Sequence, residues 1–120
     1  MNDLATPRMA RHPFLTDKPK RLLIGGKWVE AASGQTFATT NPATGEILAH
    51  VAEGDAEDID RAVAAARAAF NGPWRRATPF ERQALLLKLA DLVEAHFDEL
   101  AALDTLDMGA PLQRTRGNRL

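Results

Sequence analysis

The fold is decided by residues 39–70, TTNPATGEILAHVAEGDAEDIDRAVAAARAAF, which hold the signals for a turn, a strand and a helix in that order. The NPATG segment predicts a tight turn: Pro42 fixes φ at a central position, Asn41 can accept a hydrogen bond from its own backbone, and Gly45 tolerates a positive φ. The alternating residues 47–52 then predict a strand that is covered on at least one face.

The second half of this stretch predicts a helix with a defined start. Asp55 follows Gly54 and can accept hydrogen bonds from the free amides of the first turn, and further acidic residues stand where the helix dipole favours negative charge. An apolar stripe runs along the helix through Ile59, Val63, Ala66 and Phe70. The same carboxylates could also suggest a divalent-metal site, but their spacing is not that of a calcium-binding loop. The pattern therefore favours a capped helix over a metal site.

The residues before this stretch predict a lead followed by short antiparallel strands. Three prolines interrupt any periodicity in residues 1–20, which are expected to form a flexible N-terminal lead. Gly25 and Gly26 form the two-residue connection of a hairpin, and residues 36–40 form a further strand after a turn at Ser33. Two aromatic side chains are expected to supply the bulk of this arrangement: Trp28 and Phe37.

The residues after it predict a second, longer helix. Asn71 or Gly72 is expected to take a left-handed cap that ends the first helix. Residues 78–81, TPFE, then form a capping box with proline at the first helical position. The apolar pattern continues to Met108, which gives about thirty helical residues and a length of roughly 45 Å. The first helix can cover about four turns of it, so several leucines of the stripe are expected to stay exposed: Leu85, Leu89, Leu92, Leu100 and Leu103.

Composition bounds the class of protein. The 120 residues are 45% apolar and 26% charged with a net charge of −1, which is typical of one globular unit. No apolar run approaches a membrane helix or the core of a signal peptide, so no membrane partner and a cytoplasmic location are expected; an organelle presequence in residues 1–19 is disfavoured by its acids and prolines. Cysteine is absent, which excludes disulfides, thiolate metal sites and a cysteine nucleophile within these residues.

Charge and histidine placement give no catalytic set. Basic residues at both ends could contact nucleic-acid phosphates, but no aromatic side chains interleave with them and the middle of the chain is acidic, so no nucleic-acid partner is expected. His50 and His96 lack a spacing partner for metal or nucleophile chemistry, and a structural role is favoured for both. Three arginines beside Trp74 could hold an anion, although a solvated surface is the plainer interpretation: Arg75, Arg76 and Arg82.

Four further segments extend the pattern on both sides: LIGGKWV at 23–29, PWRR at 73–76, LADLVE at 89–94 and LDTLDMG at 103–109. In this order and spacing, and together with residues 39–70, they closely resemble the N-terminal region of the aldehyde dehydrogenase family. The resemblance covers roughly residues 22–120. It implies an α/β fragment, with an N-terminal β-hairpin and antiparallel strands followed by two α-helices. Residues 21–120 are then expected to be an incomplete N-terminal part of a cofactor-binding domain.

The resemblance also implies chemistry that these residues do not carry. Family members oxidise aldehydes to carboxylic acids with NAD or NADP: a cysteine thiolate attacks the aldehyde, hydride passes to nicotinamide, and a glutamate-activated water hydrolyses the thioester. The chain has neither the cysteine nor a Gly-rich dinucleotide turn after a strand, so no cofactor is expected to bind it.

A monovalent-cation site is what the resemblance carries over. In several relatives, main-chain and side-chain oxygens at positions matching Thr39 and Thr40, and an aspartate matching Asp107, bind such an ion, with one further ligand beyond residue 120. Oxygen ligands suit a hard ion. The alternative is that Asp107 is an ordinary surface acid at a helix end.

Three hypotheses follow. The first, which we favour, is a truncated N-terminal portion of an NAD(P)+-dependent aldehyde dehydrogenase, inactive alone, whose partner is the remainder of the fold and whose complete protein is a homo-oligomer. The second is a non-catalytic assembly module that docks through its leucine-rich helix. The third is a small free-standing fold without a catalytic role.

Overall fold

The computed structural model describes residues 12–117. Four short strands come first: β1 (Leu22–Ile24), β2 (Lys27–Val29), β3 (Thr36–Thr40) and β4 (Ile47–Ala52). Five helical segments follow: α1 (Ala56–Asn71), α2 (Pro73–Arg76), α3 (Pro79–Ala95), α4 (Phe97–Met108) and α5 (Leu112–Arg116). This order confirms the predicted fold class of antiparallel strands followed by helices.

The strands form two separate antiparallel pairs, β1 with β2 and β3 with β4. Gly25 and Gly26 connect the first pair with φ of 59° and 76°, which confirms the hairpin and explains why glycine stands there. The NPATG turn connects the second pair: the Gly45 amide donates to the Asn41 carbonyl at 2.7 Å, and the Ala43 amide donates to the Asn41 side chain at 2.9 Å. The local turn chemistry therefore folds as the sequence predicts.

Residues 12–20 run beside the second pair. The backbone of Lys20 forms a parallel bridge to Val51, donating to the His50 carbonyl at 2.8 Å and accepting from the Ala52 amide at 2.8 Å. Farther back, His12 Nε2 lies 2.9 Å from the Glu99 carbonyl oxygen. The predicted flexible lead over residues 1–20 stays a prediction, because residues 1–11 lie outside the described part.

Helix α1 begins where the acidic cluster predicts. Asp55 is its N-cap and accepts from the Glu57 amide at 2.9 Å, while Asp58 accepts from the Asp55 amide at 3.2 Å and closes a capping box. Asp58 is 2% exposed and also accepts from the Ala32 amide at 3.1 Å, so it ties the loop after β2 to the helix start. The sequence predicted the cap at Asp55 but not this second task of Asp58.

The end of α1 differs from the prediction of a left-handed cap. Gly72 has φ of −94° and ψ of −149°, which is neither left-handed nor helical backbone. The reason is that Gly72 is also the N-cap of α2, a helix that the sequence pattern does not predict. An N-cap residue takes extended backbone, and the following Pro73 disfavours the helical region for the residue before it.

The prediction of one continuous long helix is also wrong. Thr78 and Glu81 form the predicted capping box at its start, and Gly109 ends it with φ of 73°. Between them His96 leaves the helical region, with φ of −108° and ψ of 17°, and divides the segment into α3 and α4. The His96 amide still donates to the Leu92 carbonyl and its carbonyl accepts from Leu100, so one residue interrupts an otherwise continuous hydrogen-bond pattern.

The core of the described residues is small. Its buried apolar side chains are all alanines: Ala31, Ala49, Ala52, Ala101 and Ala110. The aromatic side chains expected to supply bulk stay exposed, Trp28 at 63% and Phe37 at 50%, because the elements that meet the hairpins, α1 at β1 and the end of α4 at β3, leave both side chains uncovered. The molecule measures 67 × 38 × 18 Å, so it is extended and thin. A thin arrangement of this kind cannot bury large residues.

The leucines of α3 and α4 confirm the expected exposure. Leu85, Leu89 and Leu92 are 50 to 56% exposed and Leu100 is 44% exposed, whereas Leu103 is half-buried. The expectation that α1 covers about four turns of this stripe is wrong. Helix α1 packs mainly on α2 and β1, since α2 follows it directly and lies against it.

Candidate cation site and family relationship

The predicted cation site lies where the last turn of α4 meets strand β3. Thr39 Oγ1 donates to Asp107 Oδ1 at 2.7 Å, so the structure brings together two of the three predicted residues from positions 68 apart. Thr39 is half-buried and Asp107 is exposed. The NPATG turn positions β3 and the glycine cap ends α4 beside it, which brings the two residues together.

Thr40 stands apart from this pair. Successive side chains of a strand point to opposite faces, and the register of β3 against β4 shifts between Thr39 and Thr40. Thr40 is exposed and does not line the cavity beside Asp107. Its side chain therefore lies away from the pair, and only its main-chain carbonyl is a suitable donor on the Thr39 side.

A cavity of about 210 Å³ adjoins the pair. Its polar lining includes Thr39, Asp107, Asp104 and Lys20, and its apolar lining comes from β4, α4 and residues 14–15. Asp104 was not predicted, although its position three residues before Asp107 places both on one helix face. Lys20 carried no sequence signal, because it reaches the site through its bridge to β4.

The donor set fits a monovalent cation. A hydroxyl, a carboxylate and strand carbonyls are all hard oxygen donors. No group of three or more histidine, cysteine, aspartate or glutamate side chains within residues 12–117 could hold a metal ion, so carbonyl and hydroxyl oxygens have to complete any ligand set here. The Lys20 ammonium donates hydrogen bonds to the Phe14 carbonyl and to Thr16 Oγ1 at 3.1 Å, and it lies 4.5 Å from the centre of the Phe14 ring.

Three of the remaining charged groups named by the sequence make contacts between elements of the described residues. Arg82 donates to the Trp74 carbonyl at 2.9 Å and its guanidinium stacks over the Trp74 ring at 5.1 Å, which joins α2 to α3. His96 Nδ1 lies 3.6 Å from Glu99 Oε2 across the break between α3 and α4. Arg116 pairs with Asp98 at 3.3 Å and joins α5 to α4. No helix of the described part is long and apolar enough to cross a membrane.

Comparisons with known proteins give the family. A model of the aldehyde dehydrogenase family matches residues 28–119. A benzaldehyde dehydrogenase from Antirrhinum majus is 59% identical over 95 residues, which are 78% of this chain and 18% of that protein. Aminoacetaldehyde dehydrogenase from Pseudomonas aeruginosa is 55% identical over 98 residues, which are 81% of this chain and 20% of that protein.

The fold agrees with the sequence match. The structure of a Bacillus cereus aldehyde dehydrogenase in complex with NAD+ superposes with a TM-score of 0.82 at 49% identity, covering 84% of this chain and 21% of that one. This chain belongs to the aldehyde dehydrogenase family. It spans about a fifth of the length of the relatives it matches and is a fragment of that fold. These matches do not favour the alternative of an assembly module.

Proposed function

We propose that this chain is the strand-and-helix part of an NAD(P)+-dependent aldehyde dehydrogenase, which oxidises an aldehyde to a carboxylic acid in its complete form. The observation that carries the proposal is the superposition on the Bacillus cereus enzyme, which uses most of this chain and a fifth of that one. The chain contributes scaffold and leaves the reacting groups to the rest of the fold. Alone it is inactive.

The reaction needs groups that these residues do not supply. Covalent aldehyde oxidation needs a nucleophile, and the chain contains no cysteine. Dinucleotide binding in an α/β fold uses a strand, a Gly-rich turn and a helix in a parallel unit, whereas the strands named in residues 12–117 pair as antiparallel hairpins. The nicotinamide cofactor, NAD or NADP, is therefore held by the complete protein.

The ligand that this chain would itself help to bind is the monovalent cation. Main-chain and side-chain oxygens of Thr39, the main-chain carbonyl of Thr40 and the carboxylate of Asp107 supply part of a monovalent-cation shell, and the remaining polypeptide completes it. The ion would tie β3 to the end of α4 and so stabilise the scaffold. The 2.7 Å contact between Thr39 and Asp107 supports this role, because it shows that the two donors meet.

The experiment compares the chain alone with the chain co-expressed beside the rest of a relative, the Pseudomonas aeruginosa enzyme without its matched residues. The chain alone is expected to give no aldehyde-dependent NADH or NADPH, and the co-expressed pair is expected to give it with the preferred cofactor. Formation of NADH by the purified chain, free of host enzyme, would refute the proposal. So would a pair that assembles but forms no product with any aldehyde.

A homo-oligomeric complete protein and a cytoplasmic location stay predictions. Sedimentation of the co-expressed pair measures the first, and imaging of a fluorescent fusion in the source cell measures the second. The absence of a nucleic-acid partner also stays a prediction and is checked by filter binding at low salt, where phosphate contacts are strongest.

A further inference from the structure

Asn71 and Gly72 form the one Asn-Gly pair of the sequence, and they lie at the junction of two helices. Asn71 is the last residue of α1, Gly72 follows as its C-cap, and Pro73 begins α2. The asparagine is exposed and the glycine is half-buried. Because glycine has no Cβ, no side chain shields its backbone nitrogen from the neighbouring asparagine amide.

The Gly72 nitrogen is only weakly held at this junction. Its N–H donates to the Ala69 carbonyl at 3.2 Å, three residues back instead of the four of a regular α-helix and at the long end of the hydrogen-bond range. The backbone of Gly72 lies outside the helical region, so regular α1 stops at Asn71. Helix ends of this kind fray and open locally at little cost in free energy. The side chain of Asn71 can therefore reach the nitrogen of the next residue, which a helix interior prevents.

We propose that Asn71 is a site of spontaneous covalent modification, at which the side-chain amide becomes an acid through a cyclic imide. The Gly72 backbone nitrogen gives its proton to hydroxide and attacks Cγ of Asn71. The new N–Cγ bond replaces the Cγ–Nδ2 bond, and Nδ2 takes a proton from water and leaves as ammonia. Water then adds to one of the two imide carbonyls and breaks its C–N bond. Breaking the bond to Cγ gives aspartate, and breaking the other gives isoaspartate, in which the backbone runs through Cγ.

Both products weaken the junction of α1 with α2. The new carboxylate meets the negative end of the α1 dipole, and no basic residue stands in the last turn of α1 to offset it. Isoaspartate also adds one carbon to the backbone just before the Gly72 carbonyl, which accepts from the Arg75 amide at 3.2 Å at the start of α2. The modification therefore changes the position of α2, whose Trp74 ring packs under the Arg82 guanidinium of α3.

Asn41 is a control within the same chain. Pro42 follows it, and a proline nitrogen carries no proton and cannot form the imide. The Asn41 side chain is also held, because its oxygen accepts from the Ala43 amide at 2.9 Å. Trypsin places the two asparagines in different peptides, residues 28–61 and residues 68–75, so that each is measured separately.

The experiment incubates the purified chain in mildly alkaline buffer, with and without urea, and follows each asparagine by peptide mass spectrometry. Chromatography separates the aspartate and isoaspartate forms of residues 68–75. A matched variant moves the Asn-Gly pair about one turn into α1, at two exposed positions, and removes the original: Arg67→Asn with Ala68→Gly and Asn71→Gln. Its rate in buffer and in urea shows how far a formed helix protects the same pair.

Asn71 is expected to lose its amide in buffer within about threefold of its rate in urea, whereas the relocated pair is slowed by about tenfold or more by the helix. Asn41 should stay intact over the same time, and isoaspartate should form at Asn71. Equal rates for Asn71 and the relocated pair in buffer would overturn the proposal, because the helix end would then have no effect. Loss of the Asn71 amide without isoaspartate would also overturn it, since direct hydrolysis does not pass through the imide.

Discussion

Thr39 and Asp107 join the two halves of this chain. The Thr39 hydroxyl on β3 donates to the Asp107 carboxylate in the last turn of α4 at 2.7 Å, across 68 positions of sequence. Strand and helix meet there because the NPATG turn brings β3 back along β4 and the Gly109 cap stops α4 beside that turn. The proposed cation site is built on this contact.

Asp107→Ala is expected to remove the potassium-dependent part of the stability of the co-expressed complex, because the carboxylate is the charged ligand of the proposed site. Melting temperature is measured in potassium chloride and in tetramethylammonium chloride, whose cation is too large for the site. Thr39→Val removes the hydroxyl that both donates to Asp107 and is a proposed ligand, so it should cost about 1 kcal/mol and lose part of the same potassium response. An equal salt response of the parent and the Asp107→Ala variant would show that no ion binds here.

Gly109→Ala is expected to destabilise the junction of α4 with the NPATG turn for two separable reasons. Gly109 has φ of 73°, a backbone that costs about 1 to 2 kcal/mol for a residue with a side chain. An added Cβ would also lie 2.9 Å from Cγ of Pro42.

Gly26→Ala is the matched control for the Gly109 prediction, because Gly26 has φ of 76° and open space around it. Chemical unfolding of the complex should therefore show a larger loss for Gly109→Ala than for Gly26→Ala. Adding Pro42→Ala should recover the difference. Equal losses for the two glycine variants would contradict the close approach of Pro42.

Asp58→Ala is expected to loosen the loop after β2 together with the start of α1. The buried carboxylate accepts from the amides of Ala32 and Asp55 and from Arg61 Nη1 at 3.0 Å, so its removal takes the shared acceptor away from three part-buried hydrogen bonds. The loss is expected at about 2 to 3 kcal/mol. Hydrogen exchange at the Ala32 amide reports it directly. Asp60→Ala, an exposed acid on the same helix, is the control and should leave that amide protected.

The capping box of α3 is expected to weaken in acid. The backbone amide of Thr78 at 2.7 Å, and then its hydroxyl at 2.9 Å, donate to the Glu81 carboxylate and hold the pKa of Glu81 below its ordinary value. A carboxyl whose folded pKa is lowered stabilises the fold above its unfolded pKa, and this contribution is lost as the pH falls through the lowered folded pKa. NMR titration of Glu81 measures the shift. Thr78→Ala removes the hydroxyl but keeps the backbone amide, so it should return the pKa only part of the way toward its ordinary value. An unchanged midpoint in that variant would contradict the hydrogen bond from the hydroxyl.

Turns and caps were predictable from the sequence because their signals are local. Gly25 and Gly26, Asn41 with Gly45, and Asp55 each fix a few backbone angles through their own side chain or through the lack of one. The antiparallel pairing followed, since a hairpin turn sets which strands meet. The contact of Thr39 with Asp107 was also predictable, but through the family resemblance and not through any local pattern.

The interruptions of the helices were not predictable from apolar periodicity. The leucine stripe continues across His96, so the period alone predicts one helix, whereas a single residue in the bridge region divides it. Gly72 is the residue type expected at a left-handed helix cap. Pro73 starts a new helix, however, so Gly72 takes the backbone of an N-cap instead. The prediction for Trp28 and Phe37 failed for a different reason. Both side chains have the bulk of core residues, but the layer that would cover them is not part of this chain.

This chain is part of a larger fold and not a free-standing unit, and thermal unfolding of the purified chain alone tests this most directly. Four leucines of α3 and α4 are 44 to 56% exposed, and burying each is worth about 1.5 to 3 kcal/mol, which is comparable with the 5 to 15 kcal/mol net stability of a whole domain. Circular dichroism should therefore show a broad, weak transition, with binding of a dye for apolar surface at low temperature and self-association at micromolar concentration. A sharp two-state melt of a monomer that binds no dye would contradict the claim.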